Sequence, residues 1–506
     1  MARVKEGPFP PGRYPAVVIG TGPGGLQTSY ALRRYGIDHA LLSSDAEPGG
    51  MFRRFPLFQR LVTWTKPYSV EETTSRRYER YDWNSLIADD AGDRALVRAA
   101  MRESTSYFPT RAEMETGIVS FARATGLEAR YGCKWESTRR ADDGTFVLAT
   151  SDGEYTTPVV VIAAGMTQPW KPAIPGIEEV PHYVDVKSAE SYRDKRVFVI
   201  GKRNSGYEIA NALLPHVRQV ILGSPRPSRI SVVLRTTAAA RARYLQPYED
   251  HVLGGGHLAI DAAITRIERA GPAWNVHTAG TTRPGERCFE VDEVIAATGF
   301  TSPLLDLPEL GVDTFFQGRL PAQTPFWESR SVPGMFFAGS ITQGSIGLKK
   351  HGVPSNSAAV HGFRYNARVL ATHIAERFFD RHVEGETWGP DEVVDRLLEE
   401  ATFAPELWNQ QAYLARVVTL GDARVARDEG VQPLAHFVDA GGADALAVTL
   451  ETNPDGDIQP AIYLRRGGTV SEHLLDPDVM HDFRGTEQRK ELTSVLGGVG
   501  GRVGPS

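Results

Sequence analysis

The sequence predicts an α/β fold in which one Rossmann-like nucleotide-binding unit carries a second inserted within it. Three observations predict it. An apolar strand, a glycine turn and a helical pattern follow one another in AVVIGTGPGG and LQTSYALRRYG, starting at Ala16. The same order recurs about 180 residues later in RVFVIG, KRNSG and YEIANALL, starting at Arg196. Strand-like segments then return at Glu290 to Phe300 and Gly334 to Ser340, as needed to complete a unit interrupted by the second copy.

Composition bounds what can be built on these turns. The chain has 506 residues, enough for two or three domains, and 41% hydrophobic with 23% charged residues describes an ordinary globular protein. A net charge of −6 argues against general nucleic-acid binding. No apolar run approaches the roughly 18 residues of a membrane span, and MARVKEGPFPPG has no apolar signal core, so a cytoplasmic protein without a membrane partner is expected. Two cysteines, Cys133 and Cys288, are far apart and not in a CxxC pair. This speaks against a dithiol relay or a cysteine-based metal site, and both thiols are expected to be buried.

In the first turn each glycine has a separate task. Gly20 permits the tight turn, Gly22 lets a pyrophosphate approach the backbone, and Gly25 lets helix pack on strand. The free N–H groups of the first helical turn meet the negative charge. The helix ends at Gly36 and the strand HALLSS follows. An acidic residue about 20 positions beyond the first glycine ordinarily holds the ribose. Ser43 stands there and Asp45 lies two further on, so either can supply that contact. PGGMFRRFP, with Gly50 and Phe52, reads either as part of the site or as a plain surface turn. From Arg76 an irregular connection leads to the helix AEMETGIVSFARATG, then to TFVLAT and the continuous strand PVVVIAAG. Proline-rich MTQPWKPAIPG marks a linker.

The second turn keeps Gly201 and Gly206 but carries Lys202, Arg203, Asn204 and Ser205 between them, with Arg203 in place of the middle glycine. The strand QVILG ends at Gly223 with no carboxylate at the ribose position, and Arg226 and Arg229 follow. Arginine there suits a ribose phosphate, which points to NADPH over NADH. After GMFFAGS, the segment SNSAAVHGFRYNARVLATHIAERFF reads as an amphipathic helix. The part beyond about His382 is acidic and without a chemical motif, suited either to a small cap or to a contact between subunits of a homo-oligomer. LGGVGGRVGPS, from about residue 496, is expected to be disordered.

GTGPGG, PGGMF, GKRNSG, AATGF and FAGS, in that order, resemble the two-dinucleotide-domain flavoprotein monooxygenases: the flavin-containing, Baeyer–Villiger and N-hydroxylating types. YDWNSL, Tyr107-Phe108-Pro109 and HGFRY are similar to the family of the endoplasmic-reticulum flavoprotein associated with degradation and its bacterial relatives. The resemblance covers about residues 14 to 380. It implies FAD at the first turn, NADPH at the second, and Gly339 and Ser340 near the flavin's ribityl and pyrophosphate. By the same likeness, residues 1–165 and 300–381 form the FAD domain, 166–299 the NADPH domain and 382–506 a C-terminal extension. One departure stands out. The monooxygenases carry a histidine-containing fingerprint before the second turn, and PHYVDVKSAESYRDK has His182 without that spacing.

The implied mechanism is hydride transfer to the flavin, reaction with molecular oxygen, and passage of one oxygen atom from a flavin hydroperoxide to a small-molecule substrate. No catalytic side chain and no metal ligand is assigned, and His361 is read as structural. A reductase or oxidase without oxygen insertion, and a flavin-binding protein with an interaction role, stand as alternatives. Three windows, Pro48 to Val70, Gln219 to Tyr248 and Ser329 to Ala375, hold fourteen Lys and Arg and no Asp or Glu. They serve the cofactor phosphates or, with Lys66, Lys349 and Lys350 outside both turns, the carboxylate of an amino acid undergoing N-oxygenation. Replacing Arg226 and Arg229 together is expected to erase most of the preference for NADPH. A charge-assisted contact is worth roughly 1.5–3 kcal/mol, about ten-fold to a hundred-fold in affinity, and titration of both nucleotides measures it.

Overall fold

The computed structural model describes residues 7–61, 69–89, 91–96, 109–228, 248, 251–304, 307–345, 356–421 and 425–497. The first unit is built on a four-stranded parallel sheet in the order Met335–Phe337, Val159–Ile162, Ala16–Ile19, His39–Leu42. These strands are aliphatic throughout because both of their faces are covered. Ala16 and Val18 face a helical layer that includes Leu26, Tyr30 and Phe121. Val17 and Ile19 face Trp135, Phe146, Leu148 and Tyr155 of a smaller sheet. That sheet runs Gly12–Arg13, Gly153–Thr157, Phe146–Thr150, Trp135–Arg140. The helix Arg111–Ala124 starts at a capping box, in which Glu113 N donates to Thr110 Oγ1 at 3.1 Å and Thr110 N donates to Glu113 Oε2 at 2.7 Å.

The second unit has a six-stranded sheet ordered Glu286–Val291, Ala273–Gly280, Leu258–Ala270, Gln219–Ser224, Arg196–Ile200, Glu293–Ala296. The 13-residue strand Leu258–Ala270 starts parallel to Gln219–Ser224 and continues antiparallel to Ala273–Gly280, joining the nucleotide sheet to a β-meander. Sequence reading misses this meander, whose outward Arg266, Glu268 and Arg269 interrupt the apolar run. Cys288 lies on it and is exposed, contrary to the expectation of a buried thiol, because its strand is an edge with one face in solvent; Cys133 is buried as expected. The outgoing and returning connections pair with each other at Gln168–Pro169 and Phe300–Thr301. Segment 55–58 of the first unit docks on the second: Phe58 N donates to Glu208 Oε1 at 2.8 Å and Leu57 N to the Tyr183 hydroxyl at 3.0 Å.

Beyond residue 386 the chain forms a six-stranded antiparallel sheet ordered Thr387–Trp388, Ala426–Pro433, Leu414–Leu420, Ala445–Thr452, Ile458–Arg466, Thr469–Leu474. Helices Pro390–Phe403 and Thr486–Gly497 cover one face through Leu397, Leu398 and Leu492, and Leu434 and Phe437 cover the other. The stretch expected to be disordered is helical as far as Gly497, and residues 498–506 lie outside the described residues.

This extension packs on the helix Val360–Phe379 of the first unit. That helix is therefore not amphipathic in place: its polar side is buried too, with Arg364 0% exposed. Arg364 donates to the carbonyls of Ser85 at 2.6 Å, Glu79 at 2.8 Å and Asp82 at 2.6 Å. Arg368 is held between Asp89 at 2.5 Å and Glu406 at 2.7 Å, and Glu406 also pairs with Arg76 at 2.7 Å. Burial pushes the Glu79 carboxyl up to about 7. Burial acts the same way on Glu406, but Arg76 and Arg368 overcome it and hold that carboxyl at about 2. A depressed carboxylate contributes stability above its ordinary range and loses it as the pH falls toward the folded value. Glu406→Gln is expected to cost about 2–3 kcal/mol, because it takes the shared buried carboxylate from Arg76 and Arg368 and leaves each half-buried guanidinium with only Glu400 or Asp89. Glu399→Gln, at an exposed pair with Arg77, should cost about 1 kcal/mol or less. Urea denaturation at neutral pH compares the two.

Candidate functional site

The first glycine turn opens on a cavity of about 560 Å³, within the range of cofactor sites. Its floor is Gly20, Thr21, Gly22 and Gly24, and one wall is Ser43, Ser44 and Asp45 at the end of the second strand. Gly20 has φ 112°, where an L side chain is strained, and a Cβ there would meet Ala163 O. A Cβ on Gly25 would overlap the Gly20 carbonyl oxygen, so helix Pro23–Arg34 lies directly against the strand end. Gly22 differs. A Cβ there would find no protein atom nearer than Gly50 Cα at 3.6 Å. The space before the helix N-terminus is thus open, and the first helical turn carries no acidic side chain. That combination fits the pyrophosphate of a dinucleotide.

PGGMF proves to be part of this floor. Gly49 N donates to Thr21 O at 3.0 Å, a Cβ on Gly50 would press on Gly22 at 2.7 Å, and Met51 and Phe52 line the cavity. Gly339 packs against Gly24 in the same close manner, and Ser340 Oγ accepts from Met166 N at 3.3 Å. Of the two ribose candidates, Ser43 Oγ accepts from Thr21 Oγ1 at 2.7 Å and from Asp45 N at 3.2 Å. The Asp45 carboxylate lies 3.5 Å from Arg54. Both residues line the cavity.

Its far wall contains residues the sequence reading did not place there: Trp83, Asn84, His361 and Phe363. Trp83 and His361 stack with ring centroids 5.2 Å apart. Their signal was present in YDWNSL and HGFRY, motifs noted for family likeness but without a spatial role. Cys133 also lines the cavity beside Ser43, whose carbonyl accepts from Cys133 N at 2.8 Å, and burial pushes its thiol pKa up.

The second turn repeats the geometry without the same openings. Gly201 has φ 125° and abuts Ala297 O, and a Cβ on Gly206 would overlap the Gly201 carbonyl. Arg203 caps the helix Asn204–Leu213 and is exposed, with Asn204 and Ser205 in its first turn. Lys202 is buried in an ion pair with Asp261, which also accepts from Thr282 Oγ1 at 2.9 Å. Asp261 is in register with Ser224, so this pair stands at the strand ends beside the second turn. Arg226 is exposed just past Ser224, the last residue of its strand. Arg229, Lys66, Lys349 and Lys350 lie outside the described residues. His182 is buried, with Nε2 2.9 Å from Gly299 O, and burial lowers its pKa. Of the basic windows, Arg364 and Arg368 belong to the buried network below the cavity, and Arg53 and Arg54 pair with Glu47 and Asp45. Among the described residues there is no group of three or more His, Cys, Asp or Glu that could hold a metal, and no helix long and apolar enough to cross a membrane.

Two glycine cradles on two nested sheets define a two-dinucleotide-binding-domain flavoprotein. The chain belongs to the pyridine nucleotide-disulphide oxidoreductase family, which it matches over residues 17–339, and its cofactors are FAD and NAD(P)H. It is 25% identical over 419 residues to FAD-dependent oxidoreductase domain-containing protein 2 of Danio rerio, covering 71% of this chain and 58% of that protein. The chain thus spans less than two thirds of that relative's length. Bacilliredoxin reductase Bdr of Bacillus subtilis is 23% identical over 373 residues, covering 72% of this chain and 98% of that protein. Two solved structures share the fold. The bacillithiol disulfide reductase Bdr of Staphylococcus aureus has TM-score 0.53 at 16% identity, covering 72% of this chain and 99% of that one. A flavin-containing monooxygenase of Stenotrophomonas maltophilia has TM-score 0.51 at 19% identity, covering 72% and 98%.

The open space before Gly22 and the filled space at Gly25 give opposite expectations for one kind of substitution. Gly22→Val should fold and lose bound flavin, since its side chain enters the cavity, whereas Gly25→Val should fail to fold, since its side chain meets backbone. Absorbance near the flavin bands together with circular dichroism checks both.

Proposed function

We propose that the chain is an FAD- and NADPH-dependent monooxygenase acting on a small polar metabolite, with FAD at the first cradle and NADPH at the second. Bound there, FAD would supply the redox chemistry that couples oxidation of NADPH to reduction of molecular oxygen. The chain's own residues bind, orient and exclude water. The N-terminus of helix Pro23–Arg34 and the backbone of Gly22 and Gly50 take the pyrophosphate, and Ser43 or Asp45 takes the ribose. Trp83, His361 and Phe363 close the far wall against water, which protects a reactive oxygenating site from hydrolysis.

The observation that carries this reading is the fate of the two thiols. Cys133 is buried beside the ribose wall with its pKa raised, and Cys288 is exposed on the meander of the other unit. With only these two cysteines, one in each unit, the chain offers no dithiol of its own to take electrons from the flavin, so they pass directly to an external acceptor, which we read as oxygen. One observation favours a second reading, a reductase or oxidase without oxygen insertion. His182, the histidine of the segment before the second cradle, is spent on the Gly299 carbonyl inside the fold.

The substrate we favour bears a carboxylate, with N-oxygenation of an amino acid or amine as the outcome. With Arg364 and Arg368 engaged below the cavity, this part rests on Lys66, Lys349 and Lys350. NADPH consumption should rise with amino acids at low salt and fall at high salt, and oxygenated product should match nucleotide consumed. Turnover yielding only peroxide would favour the oxidase reading. Stimulation by neutral ketones alone, without salt dependence, would remove the carboxylate.

A further inference from the structure

Where the two connections pass between the units, an arginine belonging to neither cradle sits among aromatic rings. Arg319 follows the tip of the hairpin formed by Thr314–Phe315 and Leu320–Pro321. Its guanidinium lies 4.3 Å from the Trp170 ring centroid and 5.3 Å from that of Phe316. Its Nε donates to Phe300 O at 3.1 Å, and Nη2 donates to the same carbonyl. Trp170 is on the outgoing connection and Phe300 on the returning one, and Thr298 Oγ1 donates to Trp170 O at 2.5 Å. One side chain therefore holds both strands of the crossing.

The hairpin that presents Arg319 is strained. Phe316, Gln317 and Gly318 have φ 54°, 61° and 74° in succession, and only the last has glycine's freedom. Left-handed backbone at a non-glycine residue costs on the order of 1–3 kcal/mol. Phe316 nonetheless stands 61% exposed, so its own burial does not compensate. Arg319 is also near the second cradle. Gly201 abuts Ala297, and two residues on, a Cβ at Gly299 would lie 3.3 Å from Arg319 Nη2. Desolvation and the like charge of Arg203, at the start of the cradle helix, lower the Arg319 pKa. With Gly201 against Ala297 and Gly299 beside Arg319 Nη2, the Arg319 guanidinium and the N-terminus of helix Asn204–Leu213 border one mouth, an arrangement that an anion stabilises.

We propose that Arg319 is an anion ligand for the dinucleotide at the second cradle, meeting its pyrophosphate from the connection side while the N-terminus of helix Asn204–Leu213 meets it from the other. This rests on the second cradle holding the pyridine nucleotide. Binding then ties the hairpin, the crossing and the cradle together, and Arg319 reads the pyrophosphate common to NADP⁺ and NAD⁺, leaving the ribose phosphate to Arg226.

The test uses the FAD-loaded protein and the probes NADP⁺, NAD⁺ and adenosine 2′-monophosphate, which carries the ribose phosphate but no phosphate at the 5′ position. Arg319→Gln should weaken NADP⁺ and NAD⁺ alike, roughly ten-fold to a hundred-fold, while adenosine 2′-monophosphate changes by no more than about two-fold. Arg319→Lys, which keeps the charge without the fork, should fall between. Flavin content and melting temperature report whether the variants fold. Unchanged NADP⁺ affinity in a folded Arg319→Gln protein would overturn the inference, as would an equal loss for adenosine 2′-monophosphate. Hydrogen exchange on the unmodified protein decides the matter should the variants unfold. NADP⁺ should slow exchange at residues 314–321 together with 201–206, and protection of 201–206 alone would leave the cradle reading intact and sink the role of Arg319. No NADP⁺ binding by the unmodified protein would remove both.

Discussion

In each cradle the place of a missing Cβ is taken by a carbonyl oxygen: Gly20 O at Gly25, Gly201 O at Gly206. A side chain at either position would push the helix off its strand, and with it the N-terminus that faces the ligand. The first cradle extends this principle outward. Gly24 closes on Gly339 and Gly50 on Gly22, so two segments hundreds of residues apart reach the cavity floor by backbone contact alone. Backbone-to-backbone packing has little slack, which fixes donor positions more tightly than flexible side chains could.

The far wall of the cavity depends on charge instead. Arg364, a buried residue of helix Val360–Phe379, holds the carbonyls of Glu79, Asp82 and Ser85 in the segment that carries Trp83 and Asn84. Immediately beside it, Arg368, Arg76, Glu406 and Asp89 join that helix and segment to the C-terminal sheet. Glu406 is the charge that Arg76 and Arg368 share, so its removal weakens both joins at once. The C-terminal unit is thereby coupled mechanically to the cavity, although none of its own residues lines it.

The two cradles are built alike and furnished differently. The first leaves Gly22 open and keeps acids out of its helix start; the second replaces the middle glycine with Arg203 and pairs Lys202 with Asp261 at the strand ends. Under the proposed assignment, a dinucleotide at the second cradle would meet guanidinium groups, at Arg203, Arg226 and Arg319, where the first cradle offers open backbone. The segment 55–58, anchored on Tyr183 and Glu208, keeps the units in contact on the opposite side of the crossing.

By itself the sequence determined the parts whose physics is local. Strand, glycine turn and helix are contiguous, so both cradles, the parallel strands feeding them and the order of the units were legible from Gly20, Gly25, Gly201 and Gly206. Elements that alternate buried and solvent-facing residues on an edge, such as the meander at 258–291, were not, because their apolar signal is diluted by charge. Arg364 and Arg368 read as part of a basic cleft; only tertiary structure showed Arg364 buried on the carbonyls of Glu79, Asp82 and Ser85, and Arg368 paired with Asp89 and Glu406, since those partners are distant in the chain. The placement of Trp83 beside His361, of Cys133 at the ribose wall and of Arg319 across both connections was likewise decided by the folded chain. Each depends on which segments meet in space, and spacing along a sequence carries no record of such meetings.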